Sequence, residues 1–282
     1  MIKDKRILVV GGAGSIGAEL SRQLAKNNKL FILDNNESGV FDICEELKEY
    51  WVKPRVGDIR DIGTIRDLFV DFKPQIVINA AALKHVPLSH IYPRDYIDTN
   101  IIGNLNLVEE AKRWECLEKY IYISTDKAVN SNNIMGCTKR ASEIIVKTQG
   151  KGFCAVRFGN VIGSRGSLYT IWDRQVKNGE PITVTDKKME RYMMSIEEAC
   201  KLVIKAGQES EGGEIFILDM GKKKNIYKLA QNYIQKASFP FPIEDIVIKI
   251  IGIRPGETLS EELMYEEEKK RAVKKEGYYI IN

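Results

Sequence analysis

A glycine turn set between an apolar strand and an amphipathic helix constrains this chain more than any other feature. Residues 6–12 read RILVVGG and residues 15–27 read SIGAELSRQLAKN, with Gly11, Gly14 and Gly17 punctuating the join and Gly12 adding a G-x-G-x-x-G register. Continuous Val/Ile/Leu runs bounded by glycine or acid are the mark of strands buried on both faces. The same texture recurs in KLFILD, PRVGDI, QIVINAAA and KYIYIST, alternating with helical stretches near 37–50, 95–113 and 133–148. The alternation predicts an α/β chain on a doubly wound parallel sheet.

After Phe153 the texture changes. FCAVRFGNVIG reads as one more core strand entering a loop, followed by a helix over 168–178, the strand PITVT, a helix over 195–208 and the strand EIFILDM. Glycine and proline in IGIRPG, 252–257, predict a loop. The expected division is a dinucleotide-binding domain over 1–160 and a smaller lobe over 161–282, interleaved with the last sheet elements and covering the cofactor. Residues 264–276, MYEEEKKRAVKKE, mix both charges and read as a solvated helix or tail rather than a partner-binding patch.

At 282 residues and 44% hydrophobic content the chain can bury a sizeable core. Its 43 basic and 39 acidic residues nearly balance, which gives no support for nucleic-acid binding. Five cysteines without a C-x-x-C pair and two histidines without a ligand cluster predict a reduced intracellular protein with no metal. The opening MIKDKRILVVGGAG leaves no room for a signal peptide, and no apolar stretch reaches the roughly 18 residues of a membrane helix. A soluble, cytoplasmic protein without a membrane segment is expected.

The glycine turn brings backbone close to a pyrophosphate, with Ser15, Ile16 and Gly17 opening the helix whose N-terminus meets the charge. Asp34 closes the next strand seventeen residues beyond Gly17. An acid there accepts hydrogen bonds from ribose hydroxyls and repels a 2′-phosphate, so NAD is the expected cofactor. Asp58, followed by Ile59 in VGDIRD, suits either the adenine end or the N-cap of a helix over 59–70; both readings stand. Ala80 and Ala81, in NAAA, supply the small side chains that close packing against a dinucleotide requires.

GGAGSIG, AALKHVP, STDKAVN, MGCTKR, VRFGNVIGSRGS, ERYMM, GGEIFILDMG and IRPGE together resemble the nucleotide-sugar 4,6-dehydratases of polysaccharide biosynthesis and flagellin glycosylation. These belong to the extended short-chain dehydrogenases, which are Rossmann folds. The resemblance runs from residue 6 to about 263 and implies dehydration of UDP-N-acetylglucosamine, or a related UDP-sugar, to a UDP-4-keto-6-deoxy sugar with NAD recycled. Many long relatives carry a membrane region before the catalytic domain; this chain is similar to the soluble unit alone. Relatives commonly self-associate, which implies a homo-oligomer.

In the wider superfamily a catalytic tyrosine begins a Tyr-x-x-x-Lys pair; here Met135 stands in that place, four residues before Lys139. A thioether neither accepts nor donates a catalytic proton at neutral pH, so acid–base work moves to neighbours. The resemblance implies that Asp126 protonates the departing 6-hydroxyl and Lys127 removes the C5 proton, with the two titrating as a unit. It further implies that Thr125 meets the sugar O4 and that Lys139 holds the nicotinamide ribose. The methionine form leans toward retention at C5. Asn160, Arg191, Arg254 and Glu257 match positions near the diphosphate or uridine, and Lys84 and His85 match substrate contacts, with a structural role for His85 also open. Arg165, in a glycine-serine loop, either closes on substrate or faces solvent. A UDP-sugar 4-epimerase and a non-catalytic NAD-binding regulator are the competing readings.

Overall fold

The computed structural model describes residues 2–236 and 246–282. Its main sheet has nine strands: β1 (Arg6–Val10), β2 (Lys29–Asp34), β3 (Val52–Val56), β4 (Ile76–Asn79), β5 (Lys119–Ile123), β6 (Phe153–Arg157), β7 (Glu214–Leu218), β8 (Val273–Lys275) and β9 (Tyr278–Ile281). They lie in the order β8-β9-β7-β6-β5-β4-β1-β2-β3. The first seven are mutually parallel, and the last two add an antiparallel hairpin to the far edge. The chain thus returns to the sheet after building its smaller lobe. The Val/Ile/Leu runs are buried because helices cover both faces: Ile7, Leu8, Val9 and Val10 of β1 are all sealed from solvent. Pro54, which has no N–H for a ladder, sits on the edge strand β3.

Register sets the site. Val10 pairs with Asn79, Asn79 with Tyr122, and Ile123 with Val156. The carboxyl ends of β1, β4, β5 and β6 are therefore level, and Gly11, Ala80, Ser124 and Phe158 leave the sheet along one edge, where open α/β sheets bind ligands.

Several local features hold that edge. Asn133 caps the helix Ile134–Lys147 by accepting from Gly136 N at 2.8 Å. The expected helix over 95–113 is broken up as Pro93–Ile97, a wide π-type turn at Asp98–Gly103, and Asn104–Ala111. The wide turn points the buried Asn100 side chain at Leu83, bonding both its N–H and its carbonyl, and at the Thr138 hydroxyl. The loop carrying Lys84 is thereby fixed to the helix carrying Lys139. A second apolar cluster, Trp172, Val176, Ile182, Val184, Met189 and Ile226 among its members, forms the core of the smaller lobe.

The C-terminal segment carries the expected helix, Glu266–Arg271, with most of 264–276 exposed, and continues into β8; Glu268 alone in it is buried. The reason is Arg157, fully enclosed on β6, which donates to Glu143 at 2.8 and 2.9 Å and to Glu268 at 2.7 and 3.2 Å. Ser124 donates to the same Glu143 at 2.6 Å, and Arg140 reaches it at 3.0 Å. Among the described residues no helix is long and apolar enough to cross a membrane.

Removing one partner of a buried ion cluster leaves uncompensated charge. Arg157→Met is expected to cost about 3–5 kcal/mol in urea unfolding, far above an exposed pair. A loss below about 1 kcal/mol would mean that Glu143 and Glu268 do not depend on Arg157.

Candidate active site

The glycine turn is tight enough to exclude side chains. A Cβ on Gly17 would lie 2.2 Å from the Gly11 carbonyl oxygen, and one on Gly11 would lie 2.6 Å from Ala81 N. The turn from β1 and the Ala80-Ala81 segment after β4 therefore pack backbone to backbone. Gly14 leaves the helix Ser15–Ala25 without a side-chain cap, so its first amides stay open to an anion. Asp34 ties this turn to the end of β2, its carboxylate accepting from Ala13 N and Asn36 N, each at 3.0 Å. The carboxylate keeps lone pairs for ribose hydroxyls. These features fit a dinucleotide.

Asp58 is not a helix cap. The helix is Ile62–Phe72, and Asp61 caps it through Gly63 N; the residue immediately before the first turn has the geometry to do so. Asp58 instead receives the Arg60 guanidinium, which lowers its pKa. Ile59 is buried against Gly103, its carbonyl held by Asn106.

The second half of the site begins where β5 ends. Thr125 caps the single turn Asp126–Ala128, and its hydroxyl donates to Asp126 Oδ1 at 3.0 Å. Lys127 Nζ lies 3.0 Å from the same oxygen and 3.3 Å from Asn160 Oδ1. Asn160 thus meets the Asp126–Lys127 pair. Asp126 is fully buried, and its Oδ2 has no hydrogen-bond partner among the described residues. Gly159 backs that oxygen: a Cβ there would stand 2.9 Å from it, and 2.9 Å from Tyr192 Cβ.

The helix Ile134–Lys147 presses on this turn. A Cβ on Gly136 would lie 2.1 Å from the Lys127 carbonyl oxygen, so only glycine permits the approach. Met135 is buried in a small apolar cluster with Val86, Tyr96 and Ile134. Lys139 is buried, donates to the Ile123 carbonyl at 2.5 Å and lies 4.2 Å from the centre of the Tyr122 ring. Burial pushes its ammonium down to about 7, against a smaller upward pull from Glu143.

Cations gather above the glycine turn. The Arg165 backbone N donates to Ser15 Oγ at 2.9 Å, and its guanidinium bonds the Ala13 carbonyl. Arg165 therefore closes over the cofactor turn rather than facing solvent alone. Lys84 Nζ donates to the Arg165 carbonyl at 2.8 Å; burial lowers its pKa first, and Arg165 lowers it further. His85 is lowered by burial and then by Lys84 and Arg254. Mutual repulsion among these groups is what a bound diphosphate would relieve.

The other proposed phosphate ligands sit differently. Arg254 pairs with Glu257 at 2.8 Å, and Asn133 holds the Gly256 carbonyl, which docks this loop on the helix cap. Arg191 is buried and donates to the carbonyls of Glu190, Thr258 and Leu259, so its fork braces the loop from below. The sequence reading missed Glu143, Arg157, Gly159, Tyr192 and Tyr265 as neighbours of the site. Arg157, Gly159 and Tyr192 lie in strings already singled out, VRFGNVIGSRGS and ERYMM, but nothing local in them marks the contacts they make. Among the described residues no group of His, Cys, Asp or Glu could hold a metal.

A family model described as polysaccharide biosynthesis protein matches residues 7–282. The chain belongs to that family. Its fold is that of the extended short-chain dehydrogenases: it superposes on the X-ray structure of Pen from Bacillus thuringiensis with TM-score 0.93 and 31% identity, covering 99% of this chain and 88% of that one. Among family relatives, capsular polysaccharide biosynthesis protein CapD of Staphylococcus aureus is 43% identical over 95% of this chain. The chain spans about half of CapD, 46% of its length. An inverting UDP-N-acetylglucosamine 4,6-dehydratase of Campylobacter jejuni is 34% identical over the whole chain and 84% of that protein. Proteins named UDP-glucose 4-epimerase match as well, that of Rickettsia typhi at 34% over the whole chain and 84% of its own length.

The state of Lys139 gives a stability test. The unfolded chain holds this proton up to the ordinary 10.5 and the folded chain releases it near 7. Between those values the unfolded state binds more protons, so this group makes stability rise with pH and penalises folding most below 7. Lys139→Met removes the penalty. The midpoint of the variant relative to wild type is expected to be highest near about pH 6 and to decline toward about pH 10, read by thermal unfolding. A pH-independent difference would contradict the depressed ammonium.

Proposed function

We propose that this family member is a UDP-N-acetylglucosamine 4,6-dehydratase that recycles NAD. The observation that carries the reading is the Asp126–Lys127 pair at the end of β5, whose buried carboxylate has one oxygen without a hydrogen-bond partner among the described residues, together with Met135, packed in an apolar cluster, in the place of a proton carrier. Both a 4-epimerase and a 4,6-dehydratase must move the O4 proton, and the usual carrier is replaced here by Met135; elimination of water needs an acid and a base in addition, and the Asp126–Lys127 pair supplies two groups. The relatives named as dehydratases support the choice, and those named as epimerases mark the competing outcome.

NAD, when bound, supplies a reversible hydride acceptor for sugar C4. The chain's own residues do the rest. The Gly11–Gly17 turn and the helix opening at Ser15 and Ile16 seat the pyrophosphate, Asp34 the adenosine ribose, and Asp58 with Ile59 border the adenine. Ala80 and Ala81 pack against the dinucleotide, and Lys139 holds the nicotinamide ribose. Thr125 orients the sugar through O4, and the O4 proton leaves through Lys127 or an ordered water as C4 is brought to the ketone level. With C4 at the ketone level, Lys127 takes the C5 proton and Asp126 delivers one to the leaving O6.

The pair needs no extra proton for this. Moving one proton across the 3.0 Å between Lys127 Nζ and Asp126 Oδ1 turns an ion pair into a neutral amine and a carboxylic acid at unchanged total charge. Asn160 steadies the amine. Lys84, His85, Arg165 and Arg254 face the diphosphate, while Glu257 and Arg191 hold the loop that presents Arg254. We carry the C5-retaining form on the Met135–Lys139 motif, and the C5 coupling of the product decides between retention and inversion. The residue division 1–160 and 161–282 is proposed as cofactor and UDP-sugar parts.

Lys127→Ala is expected to lower turnover by more than about 100-fold with NAD still bound, the product of wild type being one water lighter than substrate by mass spectrometry. An isobaric product would support 4-epimerisation. NAD-loaded protein that alters no UDP-sugar would support a regulator.

A further inference from the structure

The C-terminal segment reaches the proposed catalytic turn from beneath. The Tyr265 hydroxyl donates to the Ala128 carbonyl at 2.8 Å, and Ala128 is the last residue of the turn that begins at Asp126. Tyr265 is itself held twice. Its backbone N donates to Glu268 Oε2 at 3.0 Å, and its ring lies 4.9 Å below the Arg140 guanidinium. Glu268 is locked to Arg157, which also takes the Leu263 carbonyl at 2.9 Å. Arg157 leads directly into Phe158, whose carbonyl accepts from Asp126 N at 3.0 Å.

The Asp126–Ala128 turn is consequently clamped on three sides. Phe158 takes its first amide, Gly136 abuts the Lys127 carbonyl, and Tyr265 takes the Ala128 carbonyl. The first two contacts come from elements packed in the main core. The third comes from 137 residues further along the chain and depends on a buried charge cluster to arrive there.

We propose that Tyr265 is a positioning residue for the proposed acid–base pair, anchored by Glu268, so that the strap Leu263–Glu268 is part of the catalytic apparatus. This rests on the dehydratase reading. Tyr265 touches no reacting atom. Its hydroxyl fixes the pitch of a single helical turn, and with it the direction in which the Lys127 amine and the Asp126 carboxyl face the sugar. Loss of one neutral hydrogen bond leaves the fold intact but lets the turn sample misaligned states.

Tyr265→Phe keeps the ring on Arg140 and deletes only the donor. It is expected to lower kcat for UDP-N-acetylglucosamine about tenfold with KM within about twofold. Backbone amides of Ala128 and Val129, which bond within this turn, should exchange hydrogen about five- to tenfold faster, while those of β1 and β4 keep wild-type protection. Unchanged kcat with unchanged exchange would overturn the proposal. So would a kcat loss accompanied by faster exchange throughout β1 and β4, because that is global destabilisation. If wild-type protein turns over no UDP-sugar, the dehydratase reading has failed, and exchange at Ala128 and Val129 alone decides whether Tyr265 holds the turn.

Discussion

The contact between Arg157 and Glu143, 2.8 Å apart and both sealed from solvent, is the interaction on which the arrangement of the site depends. A buried ion pair contributes little net stability, since desolvation offsets most of the attraction. Its effect is directional. Glu143 can satisfy Ser124, Arg140 and Arg157 only if β5, the helix Ile134–Lys147 and β6 stand in one relative placement. Lys139 lies one turn before Glu143 on that helix, and Ser124 lies two residues before Asp126. The same cluster therefore sets the heights of the proposed ribose-binding lysine and the acid–base pair.

Around this frame, charge is distributed in two distinct ways. Beneath the sheet edge the two guanidinium charges are matched: Arg157 with two glutamates, Arg140 with the same two. Above the edge burial lowers the proton affinity of Lys84 and His85, and neighbouring cations lower it further, Arg165 for Lys84 and Lys84 with Arg254 for His85. Matched charge below gives rigidity, and the cations gathered above, Arg254 with its Glu257 partner among them, form the proposed site for an anionic substrate. Between the two layers lies the proposed acid–base pair, Asp126 and Lys127, 3.0 Å apart, with one carboxylate oxygen that has no hydrogen-bond partner among the described residues.

Much of the cofactor half was legible in the sequence because backbone geometry dictates residue type there. Gly17 and Gly11 are needed where any Cβ would strike backbone, and Asp34 follows at the end of the next strand. Asp126 and Lys127 were legible because they are contiguous. Asp58 was harder: the sequence reading offered it as a cap for a helix over 59–70, and the observed start at Ile62 gives the cap to Asp61 instead. The segment 264–276 was read as a solvated helix or tail, which holds for most of it but not for Glu268. Its alternating charges look like exposed i,i+3 pairs, as Glu266 and Lys269 indeed are, but Glu268 meets a partner 111 residues away. No local window contains Arg157, and no local pattern tells a solvated glutamate from a buried one. Arg191 gave a similar ambiguity, since a guanidinium fork suits carbonyls as well as phosphate.

The most direct test of the central claim follows one hydrogen. UDP-N-acetylglucosamine carrying deuterium at C4 is incubated with the NAD-loaded protein, and the product is examined by deuterium NMR. The account predicts that the label moves from C4 to the new C6 methyl group, because the hydride removed from C4 returns to the carbon that lost the hydroxyl. Deuterium retained at C4 of a sugar that keeps its 6-hydroxyl would contradict it, and would place the chain with the 4-epimerases.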